Sequence, residues 1–275
     1  MKTISAIKAA IAAILLCLSA ASYAQEDMKK TTILLDPGHD YQNMGALASS
    51  GKPEYLFNMR IADELKNRLE ENGFRVMLTH GENELSSLKD RTLFSDYDLF
   101  ISLHHDSIDP EYCVSFDAQK SCTTYSGYGY SLWVSPQNPD YVKSYRMAEL
   151  IGQELTAEHF IHSVHHVMVT KREALDEHLG IFSFPLCYVL RHNSRPAILI
   201  EFAVITNPVD EKNAEDPVFR GRFVGNIVKG LIRYVSEEPG SEDKAVTPKD
   251  AGRRKVSASP LRKHRRGPGA PALRK

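Results

Sequence analysis

From Thr31 onward, short apolar runs alternate with segments of helical period, and few folds tolerate that alternation. Thr31–Asp36, Phe74–Thr79, Asp98–His104, Tyr130–Val134 and Ala197–Glu201 are bounded and rich in Ile, Leu and Val, as buried strands are. Between them, Tyr55–Glu71 sets Leu56, Met59, Ile61, Leu65 and Leu69 largely along one face and stops at Asn72-Gly73, a helix terminator. Leu88–Phe94, Ser144–Phe160 and Val218–Val235 carry helical periods as well. The pattern predicts one α/β domain over residues 25–236, with a mostly parallel central sheet flanked by helices on both faces. Such sheets collect ligands at the carboxyl ends of their strands. Asp36-Pro37-Gly38-His39, His104-His105-Asp106 and Glu201 all stand there.

The ends of the chain differ from this body. Lys2 and Lys8 flank the start of an apolar run, Ala9 to Leu18, and Ser22 and Ala24 put small residues at −3 and −1 of a cleavage site. Residues 1–24 therefore read as a secretory signal, and the mature protein is expected to start near Gln25, periplasmic or secreted. The run is too short to span a bilayer, and Leu15-Leu16 before Cys17 lack the small residue of a lipoprotein site. Beyond Glu237 the composition turns to Pro, Gly, Ser and charge without apolar period, so 237–275 reads as a disordered basic tail. Its last 27 residues hold ten basic side chains against the single acid Asp250. The formal net charge of −1 thus averages two regions, since residues 25–248 carry 22 basic and 34 acidic side chains. Nucleic acid is not expected on such a body. The tail is expected to favour anionic envelope polymers. No internal repeat, separate wall-binding module or protein activator is readable.

Export sets the expectation for the cysteines. Cys113 and Cys122 lie close together in a polar stretch and are expected to form a local disulfide. Cys187 sits in the apolar run Pro185–Leu190 and reads as a buried structural thiol. A Cys–His hydrolase on Cys187 and His192 would need an exposed thiol beside a base, which that run argues against.

A catalytic zinc needs about three N or O ligands from the protein and one open position. His39 and His104 at strand ends, with Glu54 at the start of the first helix, fit that need. With 11 histidines in the chain, any one of them alone is weak evidence. His104 and His105 must face opposite ways on a continuing strand; His104 shares parity with Phe100 and Ser102, and His105 is the fallback. His105, His159, His162, His165 and His166 are expected to be solvated.

ILLDPGHD (33–40), a glutamate before a long helix, LFISLHHDS (99–107) and PAILIEFAVITNPVDE (196–211) follow one another along the chain. In these motifs and their order, over Thr31 to Val235, the chain resembles the zinc-dependent N-acetylmuramoyl-L-alanine amidases of the type-3 family. The resemblance implies His39, Glu54 and His104 as ligands of one Zn2+ and Glu201 as the catalytic glutamate. It implies peptidoglycan as substrate, cut at the amide between N-acetylmuramic acid and L-alanine of the stem peptide. A metallopeptidase cutting within the stem peptide, or a wall-binding module without activity, are the rival readings. Arg91 and a strand at Tyr188–Arg191 would support the site, with Asp36, Asp106 or Asn207 behind the ligands. Ala203 stands where the family usually has glycine. The stretches 109–126 and 158–179 look like elaborations.

Overall fold

The computed structural model describes residues 28–116, 122–168 and 172–237. The expected signal segment and, apart from Glu237, the expected tail lie outside them. The main sheet has seven strands in the order β2-β1-β3-β9-β6-β8-β7. They are β1 (Thr32–Pro37), β2 (Arg75–Leu78), β3 (Leu99–Asp106), β6 (Ser131–Val134), β7 (Ala174–Asp176), β8 (Ile181–Ser183) and β9 (Ala197–Val204). Four of the six pairings are parallel; β6 with β9 and β7 with β8 are antiparallel. The polar stretch expected to hold a disulfide does so: β4 (Ser115–Phe116) pairs with β5 (Cys122–Thr123), and Cys113 bonds Cys122.

Strand side chains alternate between faces, and here the two faces are covered unequally. Ile33, Leu35, Ile101, Leu103, Leu132, Ile198 and Ile200 enter the larger core cluster. There they meet the apolar faces of α1 (Glu54–Glu71), α2 (Tyr141–Ala157) and α6 (Pro217–Ser236). Leu34, Phe100, Trp133 and Leu199 point the other way into a smaller cluster, closed by Val189 and Leu190 of α4 (Tyr188–Arg191). Asp36, Ser102, His104, Ser131 and Glu201 share the parity of that thinner face. α3 (His165–Met168) lies on it too, because the His166 ring packs on Trp133. α5 (Pro208–Glu215) follows β9 and is capped by Asn207.

Two expected elements differ. The helix expected over Leu88–Phe94 is a single 3-10 turn, Asp90–Thr92. Ser87 and Asp90 close it by reciprocal hydrogen bonds. Leu85, Leu88 and Leu93 are 51%, 54% and 65% exposed, so no apolar face exists for a helix to bury. Tyr188–Arg191 forms one helical turn rather than a strand. The sheet is already complete beside β9, and the turn lets Val189 and Leu190 plug the thin face instead. Cys187 is 8% exposed, burial pushes its thiol up to about 11, and His192 turns back onto Tyr188. That pair has the character of packing rather than of a nucleophile and its base.

Candidate metal centre

β1 ends in Pro37 and Gly38, and the chain then turns through His39 with φ +67°, a left-handed conformation that L residues other than glycine seldom adopt. Several contacts hold the turn. Gly38 N–H donates to Leu103 O at 2.8 Å. The Arg91 guanidinium donates to Pro37 O at 3.0 Å and to His39 O at 2.8 Å. The same guanidinium stands 3.4 Å from Asp36, which also accepts from Thr79 and Ser102. The 3-10 turn that replaced the expected helix thus sends Arg91 inward to brace the loop bearing His39.

His104 approaches from β3, with its ring packed against Gly38. A Cβ at Gly38 would lie 2.2 Å from His104 Cε1, so only glycine leaves the ring where it stands. Glu54 is the first residue of α1, and its carboxylate faces both imidazoles. Oε1 is 3.0 Å from His104 Nδ1, and Oε2 is 3.2 Å from His39 Nε2. Ala46 N–H donates to Oε2, and Asn58, one helical turn on, donates to Oε1. One ligand atom from each of His39, Glu54 and His104 lies within 4.8 Å of the others. Two imidazole nitrogens and one carboxylate oxygen, open to solvent on the His39 side, form a donor set that suits zinc.

The electrostatics agree with a site shaped for positive charge. Burial works against ionisation of Glu54, yet the hydrogen bonds from His104 and His39 hold its carboxyl well below the ordinary value. Burial lowers the His39 pKa, but Glu54 outweighs burial and the net shift is upward. Glu201 is the opposite case. It pairs in register with His104 across β3 and β9, the residue as a whole is half-buried, and its buried Oε2 has no hydrogen-bond partner. Burial, with the negative charges of Asp106 and Glu54, pushes its carboxyl well above the ordinary value.

His105 is not solvated as expected. It is 2% exposed on the opposite face, between Phe57 and Phe202, with Nδ1 2.7 Å from Asn58 Oδ1. Because Asn58 also donates to Glu54, His105 acts behind the centre through α1. Burial drops its pKa to about 3, so it stays neutral. Asn207 serves elsewhere, capping α5 and donating to Gly127 O. His165 and His166, also expected in solvent, converge on Asp106: His165 is buried and His166 half-buried. The adjacent histidines were the only sequence signal of this second cluster, and no periodicity placed them.

Residues 33–233 match the family model described as N-acetylmuramoyl-L-alanine amidase. The chain belongs to that family. Zinc dependence is characteristic of it. The chain is 29% identical over 217 residues to a probable cell wall amidase, LytH, of Staphylococcus epidermidis, covering 78% of this chain and 62% of the relative. It thus spans about three-fifths of that relative's length. It is 24% identical over 233 residues to the N-acetylmuramoyl-L-alanine amidase AmiA of Escherichia coli, covering 77% and 78%. Among solved structures, the amidase Ami1 of Mycobacterium smegmatis superposes with a TM-score of 0.62 at 18% identity, covering 77% of this chain and 99% of that one. CwlD of Clostridioides difficile, solved in complex with the GerS lipoprotein, gives 0.57 at 21%, covering 76% and 100%. These two likenesses establish a shared fold.

Proposed function

We propose that this amidase-family chain is an exported peptidoglycan hydrolase that cleaves the amide between N-acetylmuramic acid and L-alanine of the stem peptide. His39, Glu54 and His104 would hold one zinc, and Glu201 would serve as the base. One observation carries the reading: a carboxylate whose buried oxygen has no hydrogen-bond partner, held in register with His104 of the three-ligand donor set. Zinc in that set would polarise the scissile carbonyl and lower the pKa of a water to about 7.

The chain's own residues supply the rest. Arg91 and Gly38 fix the positions of His39 and His104, so the donor set needs little reorganisation. The raised pKa of Glu201 suits a group that takes a proton from the attacking water and later delivers one to the leaving amine. The new bond joins the water oxygen to the lactyl carbonyl carbon. The bond from that carbon to the alanine nitrogen breaks, leaving a carboxylic acid on the sugar and a free amine on the peptide.

Export rests on the N-terminal pattern, which lies outside the described residues; within those residues no helix is long and apolar enough to cross a membrane. Digestion of purified sacculi followed by mass spectrometry tests the reaction. Intact stem peptides with a free N-terminal alanine, beside peptide-free glycan, are expected. Fragments cut within the stem peptide would refute the amidase assignment.

A further inference from the structure

Asp106, His165 and His166 gather at the carboxyl end of β3, apart from the three-ligand set described above. His166 Nε2 lies 2.5 Å and His165 Nε2 3.3 Å from the same carboxylate oxygen, Asp106 Oδ2. The two rings lie tilted by 37° with centroids 3.9 Å apart, and both Nε2 atoms face the one oxygen. One ligand atom from each of the three residues lies within 4.8 Å of the others. The other carboxylate oxygen, Oδ1, is occupied by Ser107 N–H at 2.7 Å.

His165 decides what this cluster is for. Its side chain is 2% exposed, and Nε2 is buried without a hydrogen bond although a carboxylate oxygen stands 3.3 Å away. Nδ1 is 2.6 Å from Ser163 Oγ. If Nδ1 carries the proton and donates to Ser163, Nε2 presents a bare lone pair to an anionic oxygen, an arrangement that only a positive charge between them relieves. If Nε2 carries the proton, its neighbours are the Ser107 backbone, which favours that proton, and the Asp106 carboxylate, and neither makes a full hydrogen bond with it, so a buried donor is left poorly satisfied. A ligating histidine is commonly oriented by a hydrogen bond from its other ring N–H, and Ser163 Oγ stands where it can play that part at Nδ1.

We propose that Asp106, His165 and His166 form a second divalent transition-metal site beside Glu201. Two imidazole nitrogens and one carboxylate oxygen suit zinc and its neighbours rather than magnesium or calcium, which prefer oxygen ligands. The site uses none of His39, Glu54 or His104, so it stands or falls separately from the zinc centre proposed above.

Zinc stoichiometry and affinity are measured on the full chain by titration against a competing chelator. Thermal midpoints of the metal-free proteins verify that each variant is folded. Wild type is expected to bind two zinc ions, and His166→Ala and Asp106→Asn one each. His104→Ala is expected to bind one, and His104→Ala with His166→Ala none. Cobalt(II) offers a second readout, since its visible absorption should fall by about half in His166→Ala. If wild type binds one ion and His166→Ala and Asp106→Asn still bind one, the second site does not exist. Two ions retained in both variants would equally overturn it. Should His166→Ala fail to fold, the isosteric Asp106→Asn decides.

Discussion

Gly38→Ala tests the centre more sharply than removal of a ligand, because it adds a single methyl group. The new Cβ would stand 2.2 Å, 2.3 Å and 2.5 Å from three atoms of the His104 ring, where ordinary contact begins near 3.4 Å. The ring must retreat by more than an ångström. It can do so cheaply, because the clash falls on the far end of a side chain that is 18% exposed rather than on backbone. The fold should therefore survive while the donor set loses its geometry. A misplacement of about 1 Å commonly costs on the order of 10²-fold in rate. Mispositioned ligands lose roughly 10–100-fold in metal affinity.

The assay pairs a chelator-competition titration with dye release from labelled sacculi. Gly225→Ala is the control, since a Cβ there meets nothing within 4 Å and Gly225 lies inside α6. It should stabilise the protein by about 0.5–1 kcal/mol and leave rate and affinity unchanged. A Gly38→Ala protein with wild-type zinc affinity and wild-type rate would refute the argument, because His104 would then not need the position the structure gives it.

Further outcomes are expected at Glu201, at the histidine pair and in the basic tail. Glu201→Gln should keep its zinc yet lose about 10²–10⁴-fold in sacculus hydrolysis, measured as dye release with metal content on the same preparation. In metal-free protein the raised Glu201 pKa gives a stabilisation that is complete below the ordinary 4.5 and lost as pH rises through the folded value. The glutamine variant should therefore melt higher than wild type at neutral pH, and the gap should close near pH 4. His104→Ala should bind one zinc fewer than wild type, whereas His105→Ala should keep wild-type stoichiometry and lose about 1–3 kcal/mol of stability through its partner Asn58. A chain ending at Pro248 should hydrolyse normally but bind lipopolysaccharide more weakly at low salt, a difference that high salt removes.

Periodicity located five of the sheet's seven strands, because strands buried on both faces must be apolar throughout, and Leu34, Phe100 and Ile198 are fully buried; it missed β7 and β8, whose three residues each are too short to show a pattern. It located α1, α2 and α6 because each presents one apolar stripe to the larger core. It failed at Leu88–Phe94, where the apolar spacing had no surface to pack against; the strand that the family likeness implied at Tyr188–Arg191 is a helical turn, chosen by tertiary packing. Parity, together with the family motif, separated His104 from His105, and the structure puts the two on opposite faces as the parity argument requires. The fate of His165 and His166 was illegible. Their placement depends on contacts with Asp106, about sixty residues earlier, and on Trp133, which no local pattern encodes.

Four of the carboxylates around this end of the sheet show how the site is built. Burying an unpaired carboxylate is costly, so each needs compensation or must stay protonated. Asp36 receives Arg91 and two hydroxyls. Glu54 receives two imidazoles, an amide and backbone N–H groups. Asp106 has His165 and His166 beside it. Glu201 alone keeps an oxygen with no partner, next to two of the other anions. A purely structural glutamate at a strand end would be expected to find an arginine, and both Arg191 and Arg195 are near in sequence. Arg191 instead lies over the Tyr188 ring and donates to His192. Leaving Glu201 uncompensated makes its proton affinity high, which is the property that proton transfer from water to a leaving amine requires.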